Sequence, residues 1–144
     1  MNLIILSAVL SWLAAQLIKV ITCLVRREKL TLHDYIGTGG MPSSHSAFVC
    51  ATAFGCGLVR GFDSVEFALG VALSAVVIYD ALGIRWQAGL HADAINRMER
   101  KVEPEKEAPP LETRLGHRPS EVICGGLLGI FIAYLLHFLV LHSL

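Results

Sequence analysis

The sequence is poor in charged residues: Asp, Glu, Lys and Arg make up 17% of its 144 residues, whereas 54% are hydrophobic. Its mean hydropathy is +0.60. Soluble domains of this length usually lie near or below zero on that scale, so the composition argues against a soluble domain and favours a membrane protein. The formal net charge is zero, and we expect no nucleic-acid partner.

Two further features are missing from the sequence. Its four cysteines show no C-x-x-C spacing and fall within apolar stretches, which indicates small membrane-core residues rather than disulfides or metal ligands. No basic segment precedes the first apolar stretch, which continues into Lys19 instead of a small-residue cleavage site. We therefore expect no cleavable signal peptide.

Long apolar stretches are abundant instead, at residues 3–25, 43–59, 65–84 and 121–141. A transmembrane helix needs about 20 mostly apolar residues, with a range of roughly 17–25. The alternative is a soluble four-helix bundle, but the fourth stretch is uncharged from Val122 to Leu141 and has no polar face for water. The sequence thus predicts an all-α, polytopic membrane helical bundle of about four transmembrane helices, forming one integral membrane domain over residues 1–144.

The basic residues are distributed unevenly over the two sides of such a bundle. The connections after the first and third spans share one side and carry ten Lys and Arg, whereas the other side carries only Arg60. The positive-inside rule then places the basic side in the cytoplasm and both termini outside, in the inner or plasma membrane of the cell. The ten residues are Arg26, Arg27, Lys29, Arg85, Arg97, Arg100, Lys101, Lys106, Arg114 and Arg118.

A polar connection, residues 86–120, joins the third and fourth spans. Within it, apolar residues recur at every fourth position, which predicts an amphipathic helix on the cytoplasmic membrane surface. A helix that simply packs on the bundle would give the same pattern, and the sequence leaves both interpretations open. The recurring residues are Trp86, Leu90, Ala94, Met98 and Val102.

Polar and ionisable residues gather at one membrane face, where the first and third spans end and the second and fourth begin. Lys19 and Arg26, near the end of the first span, are seven residues apart and so share one helix face. The other residues at this face lie at the ends of the remaining three spans. They are Pro42, Ser43, Ser44 and His45 at the start of the second span, Asp80 and Arg85 at the end of the third, and His117, Arg118, Pro119, Ser120 and Glu121 at the start of the fourth.

Each of these groups also has a purely structural interpretation. Lys19 could extend to the lipid headgroups, and Asp80 could form a structural ion pair with Arg85. The histidines could be interfacial polar residues, and Pro42 with the serines is a good helix start. Ionisable groups at membrane depth nevertheless usually mark function, and histidines at helix N-termini adjoin free N–H groups that attract an anion. The electropositive set predicts a phosphate group as the occupant.

Two histidines beside a phosphate also indicate a reaction. One imidazole can attack phosphorus while the other protonates the leaving oxygen. Glu121, four residues after His117, has the spacing to orient that ring. Cations and amides would hold the phosphate oxygens, so no metal is required. A metal or haem site made of His45, His91, Asp93 and His117 is disfavoured, because these residues lack tight ligand spacing and adjoin cations.

These residues resemble a known set of motifs. Type-2 phosphatidic acid phosphatases, which share their core with vanadium-dependent haloperoxidases, carry Lys-x6-Arg-Pro, Pro-Ser-Gly-His and Ser-Arg-x5-His-x3-Asp. The segment from Lys19 to Arg26 is similar to the first motif, with Arg27 in place of proline. Residues 42–45 are similar to the second, with Ser44 in place of glycine.

The third motif is similar to His117-x3-Glu121, with glutamate in place of aspartate, although its Ser-Arg pair would fall at Pro110 and Leu111. The "GGMPSSHSA" segment, and the "YDA-x-G-x-R" pattern of residues 79–85, resemble the short, divergent branch of this superfamily. The resemblance extends over nearly the full length of the chain.

The resemblance implies a role for each residue of the set. His117 would be the nucleophile that forms a phosphohistidine, His45 the general acid, and Glu121 would orient His117. Arg85 or Arg114 would substitute for the missing arginine of the third motif, and Arg85 is favoured because it lies at a span end. The phosphate-binding residues would be Lys19, Arg26, Ser43, Ser44 and Arg85, with Asp80, Arg114 and His91 in support.

The sequence therefore leads to two functional hypotheses. The first is a membrane-embedded phosphatase that hydrolyses a lipid phosphate or diphosphate of the bilayer through a phosphohistidine, without metal or cofactor. The second is a non-catalytic membrane protein that binds or transports an anionic phospholipid or phosphate. The superfamily core has more helices than are predicted here, which leaves two alternatives: a homodimer completes the bundle, or the site is more open.

Overall fold

The computed structural model describes residues 2–26, 40–103, 109–113 and 115–142 of the chain. Over these ranges the chain folds into helices and connecting segments without a strand, which confirms the all-α prediction. In chain order the helices are α1 (Leu3–Arg26), α2 (Ser44–Arg60), α3 (Val65–Leu82), α4 (Ile84–Val102) and α5 (Pro119–His142).

Local sequence signals explain where α2 and α3 begin. Ser43 precedes α2 in an extended conformation, and its Oγ accepts a hydrogen bond from the backbone N–H of Ser46 at 3.3 Å. Ser64 caps α3 in the same way, accepting from the N–H of Phe67 at 3.2 Å. Each cap satisfies one of the N–H groups that a helix start leaves without an intrahelical partner.

Three regions of helix in the described ranges are long and apolar enough to cross a membrane: Leu3–Val25, Val65–Val102 and Pro119–His142. The second region contains both α3 and α4. Helix α2 has 17 residues, at the lower end of the roughly 17–25 residues that a span needs. Three spans are therefore supported by length and composition, and a fourth, through α2, stays a prediction.

Helix α2 lies at the centre of the bundle. It contacts α1, α3 and α5, and α1 also contacts α5. The buried residues of α2 are almost all small, which lets three neighbouring helices approach its backbone. They are Ser44, Ser46, Ala47, Val49, Ala51, Ala53, Gly55 and Gly57.

The partners of α2 approach it through small residues of their own. On α5, a Cβ atom added to Gly125 would overlap the backbone of Ser43, and one added to Gly129 would overlap the backbone of Ala47. On α3, a Cβ on Gly70 would lie 2.8 Å from the Cα of Ala53. Close backbone contact of this kind drives helix association in lipid, where burial of large apolar side chains gives no advantage.

Large apolar side chains lie on the outside of the bundle. Leu17, Leu69 and Phe131 are 60%, 65% and 60% exposed, whereas the buried hydrophobic residues of the described ranges are only alanine and valine. Soluble proteins show the reverse distribution, with leucine, isoleucine and phenylalanine inside. The distribution is that of a membrane protein with lipid around its helices.

Helix α4 follows α3 after a break at Gly83 and is amphipathic, as the sequence predicts. Its Asn96 is buried and binds both backbone groups of Leu111: the side-chain N–H donates to the carbonyl at 2.9 Å, and the carboxamide oxygen accepts the N–H at 2.8 Å. Ile95 and Met98 are exposed on another face. The helix thus packs against the segment that follows it and also presents an apolar face outward.

Candidate functional site

The candidate site begins at the break between α3 and α4. Here the carbonyl oxygen of Ala81 accepts the backbone N–H of His117 at 3.0 Å. Gly116, directly before His117, has a φ of +81°, and a Cβ atom there would lie 2.6 Å from the backbone nitrogen of Trp86. Glycine is required at this position for both reasons. The backbone of His117 is therefore fixed in the angle between the two helices.

The imidazole of His117 is held at one nitrogen. Its Nδ1 lies 2.9 Å from Oε2 of Glu121, and the same oxygen accepts the backbone N–H of Arg118 at 3.2 Å. A carboxylate at this position accepts a hydrogen bond from Nδ1–H, which keeps the proton on Nδ1 and leaves the lone pair on Nε2. His117 is only 2% exposed, and within the described ranges the Nε2 of its ring has no hydrogen-bond partner.

Burial lowers the pKa of His117 below its usual range, because the charged form loses its hydration. The carboxylate of Glu121 opposes this shift, and the positive charges of Lys19 and Arg85 add to it. The ring is therefore neutral at neutral pH. A neutral imidazole with a free Nε2 lone pair is the form that can act as a nucleophile.

The N-terminus of α2 is bound directly to the first turn of α5. The backbone N–H of Ser43 donates to the carbonyl of Glu121 at 2.9 Å. The Oγ of Ser43 accepts from the N–H of Ser46, at 3.3 Å, and from the hydroxyl of Ser46, at 3.1 Å. Ser43 is fully buried, and these contacts make it the residue that joins the two helix starts.

This junction brings the two histidines of the site together. His45 lies in the first turn of α2, and its ring centroid is 6.2 Å from that of His117, with the ring planes tilted by 58°. His45 is less buried than His117. A group bound between the rings would thus meet one buried imidazole and one that is partly open to its surroundings.

Lys19 reaches the same helix start from α1. Its Nζ lies 3.5 Å from Oγ of Ser44, and the two residues are only 7% and 2% exposed. Lys19 continues a buried stripe of α1 in which Ser7, Ser11 and Ala15 recur four residues apart. The first N–H groups of α2 and the partial positive charge of the helix N-terminus adjoin this amine. The combination is an anion-binding arrangement.

Arg85 and Asp80 flank the site across the break between α3 and α4. The Nε of Arg85 lies 2.6 Å from Oδ2 of Asp80, and their side chains are 42% and 33% exposed. The ion pair keeps the guanidinium near the end of α3, where its charge acts on His117. Arg85 is thus a described arginine whose charge acts on His117.

Other predicted residues lie outside this group. Arg114 and the side chain of Arg26 fall outside the described part of the chain. His91 is exposed on α4, and among the described residues no recorded contact joins it to the histidine pair. The described ranges also contain no group of three His, Cys, Asp or Glu side chains that could hold a metal ion.

Several positioning residues are absent from the sequence-based set. Gly116 and the carbonyl of Ala81 fix the backbone of His117, and Asn96 fixes the segment at Leu111 that leads to it. For Gly116, the sequence signal was a glycine directly before a candidate nucleophile, a position where a turn of the backbone is expected. The role of the Ala81 carbonyl could not be predicted from the sequence, because every residue has a backbone carbonyl.

Comparison with known proteins gives one family and one relative of similar length. A family model described as the divergent PAP2 family matches residues 1–132, a range that includes every residue of the site. The uncharacterized membrane protein YuiD of Bacillus subtilis (strain 168) is 37% identical to this chain over an alignment 148 residues long. The alignment covers 94% of each of the two chains. No solved structure matches the chain.

Proposed function

The chain belongs to the divergent PAP2 family, and from that membership and the site geometry we propose that it is a membrane-embedded phosphatase. Its substrate is a lipid phosphate or diphosphate, hydrolysed through a phosphohistidine without a metal ion. The observation that carries the proposal is His117: a buried ring, held by Glu121 at Nδ1 at 2.9 Å, with Nε2 unpaired among the described residues.

In the first step, the Nε2 lone pair of His117 attacks phosphorus. The N–P bond forms as the bond from phosphorus to the leaving oxygen breaks, and His45 donates a proton to that oxygen. His117 becomes positively charged, and the carboxylate of Glu121 stabilises that charge through the Nδ1 hydrogen bond. The ring centroids are 6.2 Å apart, so one phosphoryl group can lie against both the nucleophile and the acid.

In the second step, water attacks the phosphohistidine from the side of the departed group. His45, now neutral, accepts a proton from the water as the new P–O bond forms and the N–P bond breaks. Inorganic phosphate leaves, and both histidines return to their starting protonation states. The greater exposure of His45 suits it to exchange protons with solvent.

The charge on the phosphoryl oxygens is met by fixed donors. These donors are Lys19, the hydroxyl of Ser44, the first N–H groups of α2, and Arg85. Such donors stabilise the transition state without reorganising during the reaction. Ser43 supports them through its contacts with Glu121 and Ser46 and can offer only its hydroxyl proton, because its N–H is already bonded.

The missing arginine of the third motif has a replacement in this scheme. The motif would put arginine at Leu111, but the backbone of that residue is bound to Asn96 on α4. Arg85 comes instead from the start of α4, directly beside the segment that carries His117. The side chains of Arg26 and Arg114, which the structure does not describe, remain predicted phosphate-binding residues.

The site lies where α2 and α5 begin and where α1 and α3 end. By the positive-inside rule this end is cytoplasmic and both termini are outside. Polyprenyl diphosphate, phosphatidic acid and phosphatidylglycerol phosphate all present a phosphate group at this depth. The chemistry of the site fits each of them.

Phosphate release by the purified protein tests the proposal. The parent, His117→Ala and His45→Ala are incubated with each lipid phosphate in the presence of EDTA, and His142→Ala serves as control because it lies at the far end of α5. The parent and the control should release phosphate, and the two site variants should not. Equal release by His117→Ala would overturn the mechanism. Binding of lipid phosphate without release by the parent would favour the non-catalytic alternative.

A further inference from the structure

One face of α2 is covered by no other helix in the described part of the chain. Although α2 contacts both α1 and α3, those two helices do not contact each other. The space between them is the α1–α3 groove, and its floor is the face of α2 that is left open. The floor residues are His45, Phe48, Thr52, Cys56 and Val59, all of them half-buried or exposed.

Contacts on either side define the edges of this floor. On the α3 side, the carbonyl of Val49 accepts the hydroxyl of Ser74 at 3.1 Å, and Ala53 packs against Gly70. On the α1 side, Ser44 contacts Lys19. At about 100° per residue, the five floor residues fall within a sector of about 80° between these edges. They form one column of side chains along the helix.

The groove begins at the candidate site. His45 is the first residue of the floor. Lys19 lies near the end of the α1 wall, and Asp80 with its partner Arg85 lies at the end of the α3 wall. Lys19 on α1 and Arg85 at the start of α4 thus place cations beside the histidine pair, whereas the floor beyond His45 is apolar except for the hydroxyl of Thr52. An amphiphile with an anionic head and one hydrocarbon chain matches this sequence of surfaces.

The length and polarity of the floor also suit a hydrocarbon chain. From His45 to Val59 the floor runs about 21 Å at 1.5 Å per residue, more than the ~15 Å of half a bilayer's hydrocarbon core. Its one hydroxyl, on Thr52, donates to the carbonyl of Phe48 at 2.8 Å and so is satisfied within α2. A floor one side chain wide accommodates a single chain.

We propose that the α1–α3 groove seats one hydrocarbon chain of the lipid phosphate whose phosphate group binds between His45 and His117. This inference rests on the proposed function for the identity of the headgroup. The groove makes the protein selective for long-chain phosphates. A second chain of a diacyl lipid stays in the surrounding bilayer.

Binding of non-hydrolysable alkyl phosphonates tests the groove without requiring turnover. The parent in phosphatidylcholine nanodiscs is titrated with butylphosphonate and with hexadecylphosphonate. Thr52→Phe and Cys56→Phe fill the floor, and Ala72→Phe is the matched control because Ala72 lies on the exposed side of α3. Hydrolysis of hexadecyl phosphate by the parent and by His117→Ala is measured in parallel.

We expect the parent and Ala72→Phe to prefer the long-chain probe. The floor variants should lose about tenfold in affinity for hexadecylphosphonate and less than about twofold for butylphosphonate, since a blocked groove excludes the chain and not the headgroup. The proposal would be overturned if Thr52→Phe bound each probe as tightly as the parent does. It would also be overturned if Thr52→Phe lost the same affinity for both probes.

Two further outcomes separate the groove from the reaction and from oligomerisation. In the first outcome, the parent prefers the long-chain probe, Thr52→Phe loses that preference, and the parent hydrolyses nothing. This outcome supports the groove and refutes the phosphatase. If Thr52→Phe instead converts a dimer to a monomer by native mass spectrometry, with hexadecylphosphonate binding unchanged, the groove is an interface between two copies. That result also overturns the proposal.

Discussion

Replacing Glu121 by glutamine separates the charge of this residue from its geometry. The carboxamide has nearly the same shape, and its oxygen can still accept the Nδ1 proton of His117, which lies 2.9 Å from the present carboxylate. The carbonyl of residue 121 still accepts the N–H of Ser43, because that bond is between backbone groups. Glu121→Gln therefore keeps the junction of α2 and α5 and removes the negative charge alone.

The expected loss follows from the strength of the hydrogen bond. A bond to a charged partner contributes about 1.5–3 kcal/mol and a neutral one about 0.5–1.5 kcal/mol. His117 gains its positive charge only as the phosphohistidine forms, so the difference of ~1–2 kcal/mol acts on the transition state. It corresponds to a fall of about 5- to 30-fold in kcat.

The pH profile gives a second, signed expectation. The carboxylate of Glu121 raises the pKa of His117 against the lowering effect of burial. Without it the pKa falls further, so the neutral, nucleophilic ring persists to lower pH. The acid limb of kcat/KM, which reports protonation of the free enzyme's nucleophile, should move to lower pH in Glu121→Gln.

The assay is phosphate release as a function of pH for the parent, Glu121→Gln and Glu66→Gln. Glu66 pairs with Arg60 at 3.0 Å at the opposite end of the bundle, so its loss should change neither kcat nor the acid limb. Retention of kcat within about twofold together with an unmoved acid limb would refute the role given to Glu121. Glu121→Asp, which restores the charge on a shorter side chain, should recover part of the activity.

Two other substitutions probe the phosphate donors and the support of His117. Vanadate is a phosphate analogue that the proposed site should bind as an inhibitor. Lys19→Met should weaken inhibition by vanadate about tenfold or more, because a charge-assisted contact contributes about 1.5–3 kcal/mol. Arg60→Ala, at the far end, should leave the inhibition constant unchanged, and equal constants for the parent, Lys19→Met and Arg60→Ala would contradict the assignment. Gly116→Ala should lower the thermal unfolding midpoint more than Gly40→Ala. Both glycines have positive φ, but a Cβ on Gly116 would meet backbone 2.6 Å away, whereas one on Gly40 would have nothing within 4 Å; equal shifts would show that the contact at Gly116 is unimportant.

The helices and part of the site could be predicted from local sequence patterns. Apolar stretches of span length indicate helices wherever they occur, because a chain in lipid must satisfy its backbone internally. The contact between His117 and Glu121 follows from their spacing of four residues at a helix start. The approach of Lys19 to Ser44 follows from consecutive antiparallel helices, since the end of one adjoins the start of the next.

The remaining features depend on contacts between distant parts of the chain. The sequence ends the third span at residue 84, close to the observed break at Gly83, but it does not show which segment packs into that break. The hydrogen bond from His117 to Ala81 requires that break. Likewise, Gly125 and Gly129 indicate close packing of α5, but the sequence does not say which helix they meet.

Two of the departures from the second and third motifs have a structural partner. Serine at position 44, where the motif has glycine, supplies the hydroxyl that lies 3.5 Å from the Nζ of Lys19. Glutamate at position 121, one methylene longer than aspartate, reaches Nδ1 of His117 and the N–H of Arg118 with one oxygen. Because its carbonyl also binds Ser43, this residue couples the orientation of His117 to the position of α2. A change that separates α2 from α5 should therefore disturb both histidines at once, which makes the helix junction as important for the chemistry as either ring.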